Sequence, residues 1–277
     1  MIFIVTALHC EAKPIIRHFK LKKDARSTRF DLYSNGEIYL IVCGTGILRC
    51  AVATAHILSI IPHKNGASAL NTGICGAVSP DIEEGTPLLF HKIIHSETGR
   101  EYYPDILLKH GLREVALNSF ASPVTKEYAG THAFEFADME AAGFMEAASM
   151  FLPAHAIFCL KVVSDHLEGT RMEPEFVTQL MQKNLEHIEH IVVSSRELPG
   201  CRERELLTSS DYRVLELIGE RLRLTATMRH QLKETARLYK IRHKNSLEGL
   251  EAFLNLPVDS KKEGKIVFER IKQYLIH

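Results

Sequence analysis

Through about residue 195 the chain alternates short β-rich runs with amphipathic stretches, and this alternation restricts it to few folds. IFIVTAL (2–8) reads as a strand, and EAKPIIRHF (11–19) carries helical spacing. FDLYSNG and EIYLIVCG (30–44) read as a hairpin turning at Asn35-Gly36. GTG (44–46) leads into ILRCAVATAHILSII, a helix of small residues, and SALNTG (68–73) reads as a strand followed by a glycine turn. TPLLFHKII, VALNSFA and HAIFCLKVV are further strands, and FVTQLMQKNLEHIEHIVVSS is a closing helix. A chain that passes from strand to helix to strand builds a mainly parallel sheet covered on both faces. The fold expected is α/β, with three layers around a mixed, mainly parallel central sheet. Ligands of such sheets bind beyond the carboxyl ends of the strands. Here those ends carry Glu11, Gly44, Gly46, Asn71 to Gly76, and Ser164-Asp165.

After ELPG (197–200) the pattern changes. CRERELL, SSDYRVLELIGERLRL, ATMRHQLKETARLYKIRHK, LEGLEAFLNL and KIVFERIKQYLI all have helical periodicity and none reads as a strand. Ser209, Ser210 and the Pro257–Asp259 stretch supply capping and break signals. The expected organisation is an α/β domain over 1–197 and an all-helical C-terminal appendage of four or five helices over 198–277. Charge marks the same division. Residues 200–277 hold 16 Lys and Arg against 11 Asp and Glu within a chain whose net charge is zero, so the tail is basic and the body acidic.

No apolar run approaches the roughly 18–20 residues of a membrane span. MIFIVTALHCEAKP lacks the basic first region and cleavage site of a signal peptide and reads as a buried first strand. The six cysteines (Cys10, Cys43, Cys50, Cys75, Cys159, Cys201) form no CxxC pair and sit mostly in apolar surroundings. They read as reduced core thiols of a cytoplasmic protein. Among fifteen histidines the helix-spaced pair in LEHIEHIVV, His187 and His190, has no third ligand nearby, so neither a metal nor a cofactor is expected.

Acids dominate the strand ends. Carboxylates so placed suit general acid–base chemistry, of which glycosidic-bond cleavage is one case: it requires a proton for the leaving group, stabilisation of a cationic sugar, and a nucleophile. Asp165 follows VVS at a strand end and suits the proton donor if burial favours its acid form, whereas its plainer use is to cap a helix at SDHLEG. Glu140 suits a carboxylate accepting from sugar hydroxyls, its charge favouring an oxocarbenium-like sugar. Asp138 and Glu140 otherwise serve as first-turn acids that complement a helix dipole. Glu11 suits a general base for water and is otherwise an exposed first-turn acid. GTG lacks the further glycine and lysine of a P-loop. With NTG and Gly76 it reads as a place where backbone approaches a ligand closely, beside an apolar wall at Ile74 and Cys75.

TALHCEA, CGTG, NTGICGAVSPDIEEGT, ADMEAAG and VVSD occur in the order and spacing of the nucleoside phosphorylase superfamily. They are most similar to its methylthioadenosine/S-adenosylhomocysteine nucleosidases. SPVTKEYAGTHAFEFADMEAAG also resembles the futalosine hydrolases. The resemblance covers residues 1 to about 195. It implies that Glu11 activates water, that Met139 packs on the sugar, that Ser164 orients Asp165, and that Asp165 protonates the base. It also implies a small-molecule nucleoside as ligand and a homodimer. Asp138 stands where these nucleosidases usually carry Glu. Phosphorylases hold phosphate with glycine and arginine, and NTGICG lacks that arginine, which favours hydrolysis. This sequence departs from the family in three places. Ala121 to Val124 replaces a stretch with a base-stacking aromatic, Lys161 replaces a frequent arginine, and the body is shortened near 95–125. GREYYPDIL (99–107) reads either as a surface loop or as a source of Tyr102 or Tyr103 for a neighbouring subunit's pocket.

Two other functions stay open. One is a phosphate-dependent phosphorylase that uses Arg49. The other is a non-catalytic nucleoside sensor or DNA-associated protein that uses residues 221–244, where eight cations face Glu234 alone. Arg229, Lys233, Arg237 and Lys240 share a helix face there, without a helix-turn-helix signature or an aromatic platform. A solvated face, or docking onto the acidic body, accounts for that row more simply.

Overall fold

The computed structural model describes residues 1–277 except 64–65, 170–172, 199–206, 244–246, 248, 257, 259 and 277. Pro199, Gly200, Cys201 and most of CRERELL, with Lys244, Pro257 and Asp259, therefore lie outside the described residues. The chain divides into two compact units, Met1–Arg202 and Glu203–His277.

The first unit runs β1 (Ile2–Thr6), α1 (His9–His18), β2 (Lys22–Lys23), β3 (Asp31–Ser34), β4 (Ile38–Val42), α2 (Ile47–Ile60), β5 (Ser68–Ala77) and β6 (Pro87–His95). It continues through β7 (Arg100–Tyr102), β8 (Arg113–Ser119), α3 (Lys126–Ala129), β9 (Phe136–Asp138), α4 (Ala141–Ala148), β10 (Ile157–Asp165), α5 (Pro174–Lys183) and α6 (Leu185–Ser194). The strands form one mixed sheet whose longest ladders, β5 with β10 and β6 with β8, are parallel. Strand β5 also pairs with β1 and β9, and β10 also pairs with β6, so β5, β10, β6, β8 and β9 close into a ring.

The period of two in the buried strands produces the layers. Phe3 and Val5 of β1 and Tyr39 and Ile41 of β4 join one core with α2 and α4. Ile2, Ile4, Ile38 and Leu40 face the opposite way, into a core with α1, α5 and α6. Helices α2 and α4 approach closely because residue 143 is glycine: an added Cβ would lie 2.0 Å from the Ile47 carbonyl oxygen.

Several local expectations are corrected. NTG is not a turn, since β5 runs through Gly73 to Ala77 with β10 alongside it to Gly76. The closing helix is two helices. It breaks at Asn184, whose Nδ2 donates to the carbonyls of Gly85 and Leu180, both at 3.0 Å. The segment at 136–138 is a strand, formed by pairing with β5 and β8 rather than by local pattern. Tyr102 is held within its own chain, its hydroxyl donating to Glu146 Oε2 at 2.6 Å, while Tyr103 is exposed.

The second unit contains α7 (Ser209–Arg221), α8 (Ala226–His243) and α9 (Lys261–Ile276) among its described residues. Leu215, Ile218, Leu232, Phe268 and Ile271 recur at helical spacing and form its core. Thr208, not Ser209 or Ser210, caps α7, in a reciprocal box with Asp211. LEGLEAFLNL forms a 3-10 turn at Leu250–Asn255 rather than an α-helix. The basic row of α8 is paired within the unit. Arg229 and Lys233 both hold Glu216, Arg237 holds Glu234, and Lys240 holds Asp211. Those four cations are thus engaged by carboxylates, which weakens the reading of them as a phosphate-binding stripe.

No described helix is long and apolar enough to cross a membrane.

Candidate active site

The ends of β1, β5, β9 and β10 open into a cavity of about 450 Å³, within the ordinary size of small-molecule sites. Glu11, Ile74, Cys75, Gly76, Asp138, Met139, Glu140, Ser164 and Asp165 all line it. Gly44 and Gly46 do not, although Thr45 between them does. Both glycines have positive φ. The side-chain space of Gly44 is taken by Arg49, whose Nε would lie 2.7 Å from an added Cβ. Gly46 contributes its N–H, which donates to Glu140 Oε1 at 2.9 Å.

Glu11 is not the exposed first-turn acid of the plainer reading; it is 2% exposed. Its Oε2 accepts from the backbone N–H groups of Ala7 and Leu8 at 2.8 and 2.9 Å, and its Oε1 from that of Ile74 at 3.0 Å. The carboxylate therefore ties the start of α1 to β5. Burial raises its pKa, against the opposing pull of Lys161 and the three N–H donors. A carboxylate offers about four lone-pair sites, so three N–H bonds leave one for a water or ligand.

Asp138 and Glu140 are both buried. Asp138 Oδ1 accepts from the Ser119 hydroxyl at 2.5 Å, and its Oδ2 accepts from Ala141 N–H at 2.9 Å and pairs with Lys161 Nζ at 3.0 Å. Asp138 thus caps the start of α4 as well as lining the cavity. Lys161 was legible only as a substitution for arginine, yet it is 1% exposed and faces the acids of the site. Burial pushes its pKa down, and the acids Asp138, Glu140 and Glu11 with the Cys159 thiol push it further up, so it remains an ammonium. The signal in the sequence was a lysine inside the apolar run HAIFCLKVV, which requires a buried acid. Ser119 and Leu167 left no comparable signal, and Pro123 and Val124 were legible only as part of the stretch that replaces a base-stacking aromatic.

Ser164 and Asp165 owe their arrangement to a bulge. The β10–β5 register passes from Val163↔Cys75 to Asp165↔Gly76, leaving Ser164 as the extra residue. Neighbouring strand side chains normally point to opposite faces; here the Ser164 hydroxyl donates to Asp165 Oδ2 at 2.6 Å. Asp165 Oδ1 accepts from Leu167 N–H at 2.8 Å. No helix begins at SDHLEG, so Asp165 is not a helix cap, and it is half-buried at the cavity wall rather than enclosed. Ser122, Pro123, Val124 and Leu167 complete that wall without an aromatic ring. Among the described residues no group of three or more His, Cys, Asp or Glu is placed to hold a metal.

The structure matches futalosine hydrolase of Helicobacter pylori with a TM-score of 0.58 at 18% identity, over 71% of this chain and 97% of that one. The fold is that of the nucleosidases. The 5′-methylthioadenosine/S-adenosylhomocysteine nucleosidase of the same organism matches with a TM-score of 0.58 at 17% identity, over 71% and 98% of the two chains. That of S. pneumoniae matches with a TM-score of 0.58 at 15% identity, over 70% and 98%. No protein-family model matches the sequence, and no curated protein does.

Within this nucleosidase fold Glu140 makes stability depend on pH. Burial is the main cause that lifts its pKa from 4.5 to about 7, with Lys161 opposing and Asp138 adding to the rise. Between those values the folded chain binds a proton that the unfolded chain has lost, so this contribution to stability falls as pH rises through the window. Glu140→Gln keeps the acceptor for Gly46 N–H and removes the charge. We expect it to unfold at higher urea than the parent at pH 8, by on the order of 3 kcal/mol. The difference closes below about pH 4, where Glu140 is neutral in both folded and unfolded chains. Equal urea midpoints at pH 8 would contradict the assignment.

Proposed function

We propose that this chain hydrolyses the N-glycosidic bond of a purine-type nucleoside, releasing free base and sugar. The substrates that suit this reading are 5′-methylthioadenosine, S-adenosylhomocysteine and related 5′-modified nucleosides. The observation that carries it is the meeting of Glu11, Glu140 and Asp165, distant in sequence, on one cavity. In this reaction Asp165 gives a proton to the departing base while the glycosidic C–N bond breaks. Glu140 accepts from ribose hydroxyls, and its charge stabilises the cationic sugar. Met139 packs on the sugar. Glu11 takes a proton from the water that attacks the anomeric carbon. Pro123, Val124 and Leu167 form an apolar clamp for the base in place of a stacked ring. A homodimer in the cytoplasm belongs to the same reading. The hydrolytic reading is supported by neighbours of this fold that are nucleosidases, one of them bound to the transition-state inhibitor MT-ImmA.

Hydrolysis is preferred to phosphorolysis because Arg49, the residue considered for phosphate, does not line the cavity. Its Nε donates to the Cys43 carbonyl at 3.3 Å. The carboxylates around the cavity also repel an anion. Purified protein offered methylthioadenosine, adenosylhomocysteine, futalosine, inosine and adenosine is expected to release base in phosphate-free buffer, as read by chromatography. Base release that strictly requires phosphate overturns the hydrolase assignment.

A further inference from the structure

Lys161 lies mid-strand in β10, paired with Gly73 of β5 on one side and Leu88 of β6 on the other. Its ammonium reaches Asp138 Oδ2 at 3.0 Å, with side chains 2% and 0% exposed. A pair so deeply buried is a poor source of stability, because desolvation offsets the attraction, so its presence asks for another reason. The neighbouring hydrogen bonds supply one. Asp138 accepts from Ala141 N–H, and Ser119 Oγ accepts from Ala142 N–H at 2.9 Å, so two first-turn N–H groups of α4 are held by side chains from β9 and β8. Ser119 and Asp138 are themselves joined by a hydrogen bond and lie side by side in the β8–β9 ladder. Between this lock and the first helical residue lie only Met139 and Glu140.

The charges converge on the same point. Facing Lys161 are Glu11 from α1, Asp138 from β9, Glu140 at the start of α4, and the thiols of Cys75 and Cys159 from β5 and β10. Around Glu140 are Lys161, Asp138, Glu11, the Cys50 thiol from α2 and the Cys159 thiol from β10. We propose that Lys161 is a positioning residue: held on Asp138, it locks the ends of β8, β9 and β10 and so fixes the start of α4 with Glu140 facing the sugar. This inference rests on the nucleosidase reading for its consequence, but its geometry does not depend on it. Lysine and arginine are not equivalent at such a site, since an ammonium is a compact point charge and a guanidinium a planar fork of five donors.

The test is Lys161→Met, which keeps an unbranched chain and removes the charge. A second variant carries Lys161→Met with Asp138→Leu, so that no unpaired acid is left buried if the single variant fails to fold. The pH profile of kcat/KM is measured for each with the best nucleoside substrate. Glu140 is titrated in parallel by carboxyl ¹³C NMR, its resonance assigned by its loss in Glu140→Gln. The expected result is a loss of about 10²-fold in kcat/KM at pH 7. The acid limb moves upward by about one pH unit or more, so that activity partly returns at higher pH. The Glu140 titration moves the same way. Lower activity with an unmoved limb and an unmoved Glu140 titration makes Lys161 merely structural and overturns the proposal. If the parent protein cleaves no nucleoside, the nucleosidase reading fails by itself. The NMR titration then still decides: an upward shift in Lys161→Met upholds the lock, and an unchanged titration overturns it.

Discussion

Asp165→Asn is expected to leave a folded protein that binds nucleoside and releases base at a rate lowered by about 10²–10⁴-fold. Asparagine has the shape of aspartate but no proton to give. Oδ1 of the amide still accepts from Leu167 N–H, which now bonds the carboxylate at 2.8 Å. The Ser164 hydroxyl, at 2.6 Å from Asp165 Oδ2, also lies 3.2 Å from the Cys75 carbonyl and can turn to it. The bulge that aims residue 165 is a backbone feature of β10 and survives the change. The loss therefore falls on kcat with KM nearly unchanged, the sign of an interaction made in the transition state alone. A 4-nitrophenyl riboside, whose leaving group departs without protonation, separates the roles: its hydrolysis by Asp165→Asn should stay within a few-fold of the parent. If the variant cleaves nucleosides at the parental rate, Asp165 is not the acid and the proposed chemistry loses its proton.

How much of this was legible in sequence depended on whether the signal was local. Most strands of the body announced themselves because each is an apolar run bounded by glycine or polar residues, whereas the polar β2 and β7 did not. The alternation Ile2, Phe3, Ile4, Val5 feeds both cores, which is what a doubly covered strand requires. Strand β9 gave no such sign. Its three residues are extended only because β5 and β8 stand ready to pair with them. Glu11, Glu140 and Asp165 were readable mainly because TALHCEA, ADMEAAG and VVSD resemble the motifs of a known family. The hydrogen bonds that fix them were not, because they come from partners far along the chain: Ile74 for Glu11, Gly46 for Glu140. The bulge at Ser164 was invisible for the same reason, being a mismatch between two strands rather than a property of one. In the tail the row of cations was read correctly as a helix face. Its partners Glu216 and Asp211 sit on another helix, so its neutralisation appears only on folding.

The partnership between Glu11 and Gly73 yields the other large effect, and it tests the geometry rather than the acid. A Cβ on residue 73 would lie 2.4 Å from Glu11 Oε1 and 2.7 Å from Cδ. Neither side can yield cheaply. Gly73 sits in β5 opposite Lys161 of β10, and Glu11 is fixed by three backbone N–H groups. The methyl of Gly73→Ala must therefore evict the carboxylate, leaving buried N–H groups unpaired at about 1–3 kcal/mol each. Overpacking adds to that cost. We expect a loss of on the order of 3–5 kcal/mol in urea unfolding, together with loss of hydrolysis by about 10²-fold or more. Glu11→Gln separates the two consequences. Its amide oxygen keeps the Ala7 and Leu8 contacts while its NH₂ opposes Ile74 N–H, so stability falls by only about 1–2 kcal/mol. Base catalysis is nonetheless lost. An order of variants in which Gly73→Ala is the less stable and both are inactive places the water-activating group where Gly73 makes room for it. A Gly73→Ala protein that hydrolyses nucleoside as fast as its parent removes Glu11 from the reaction.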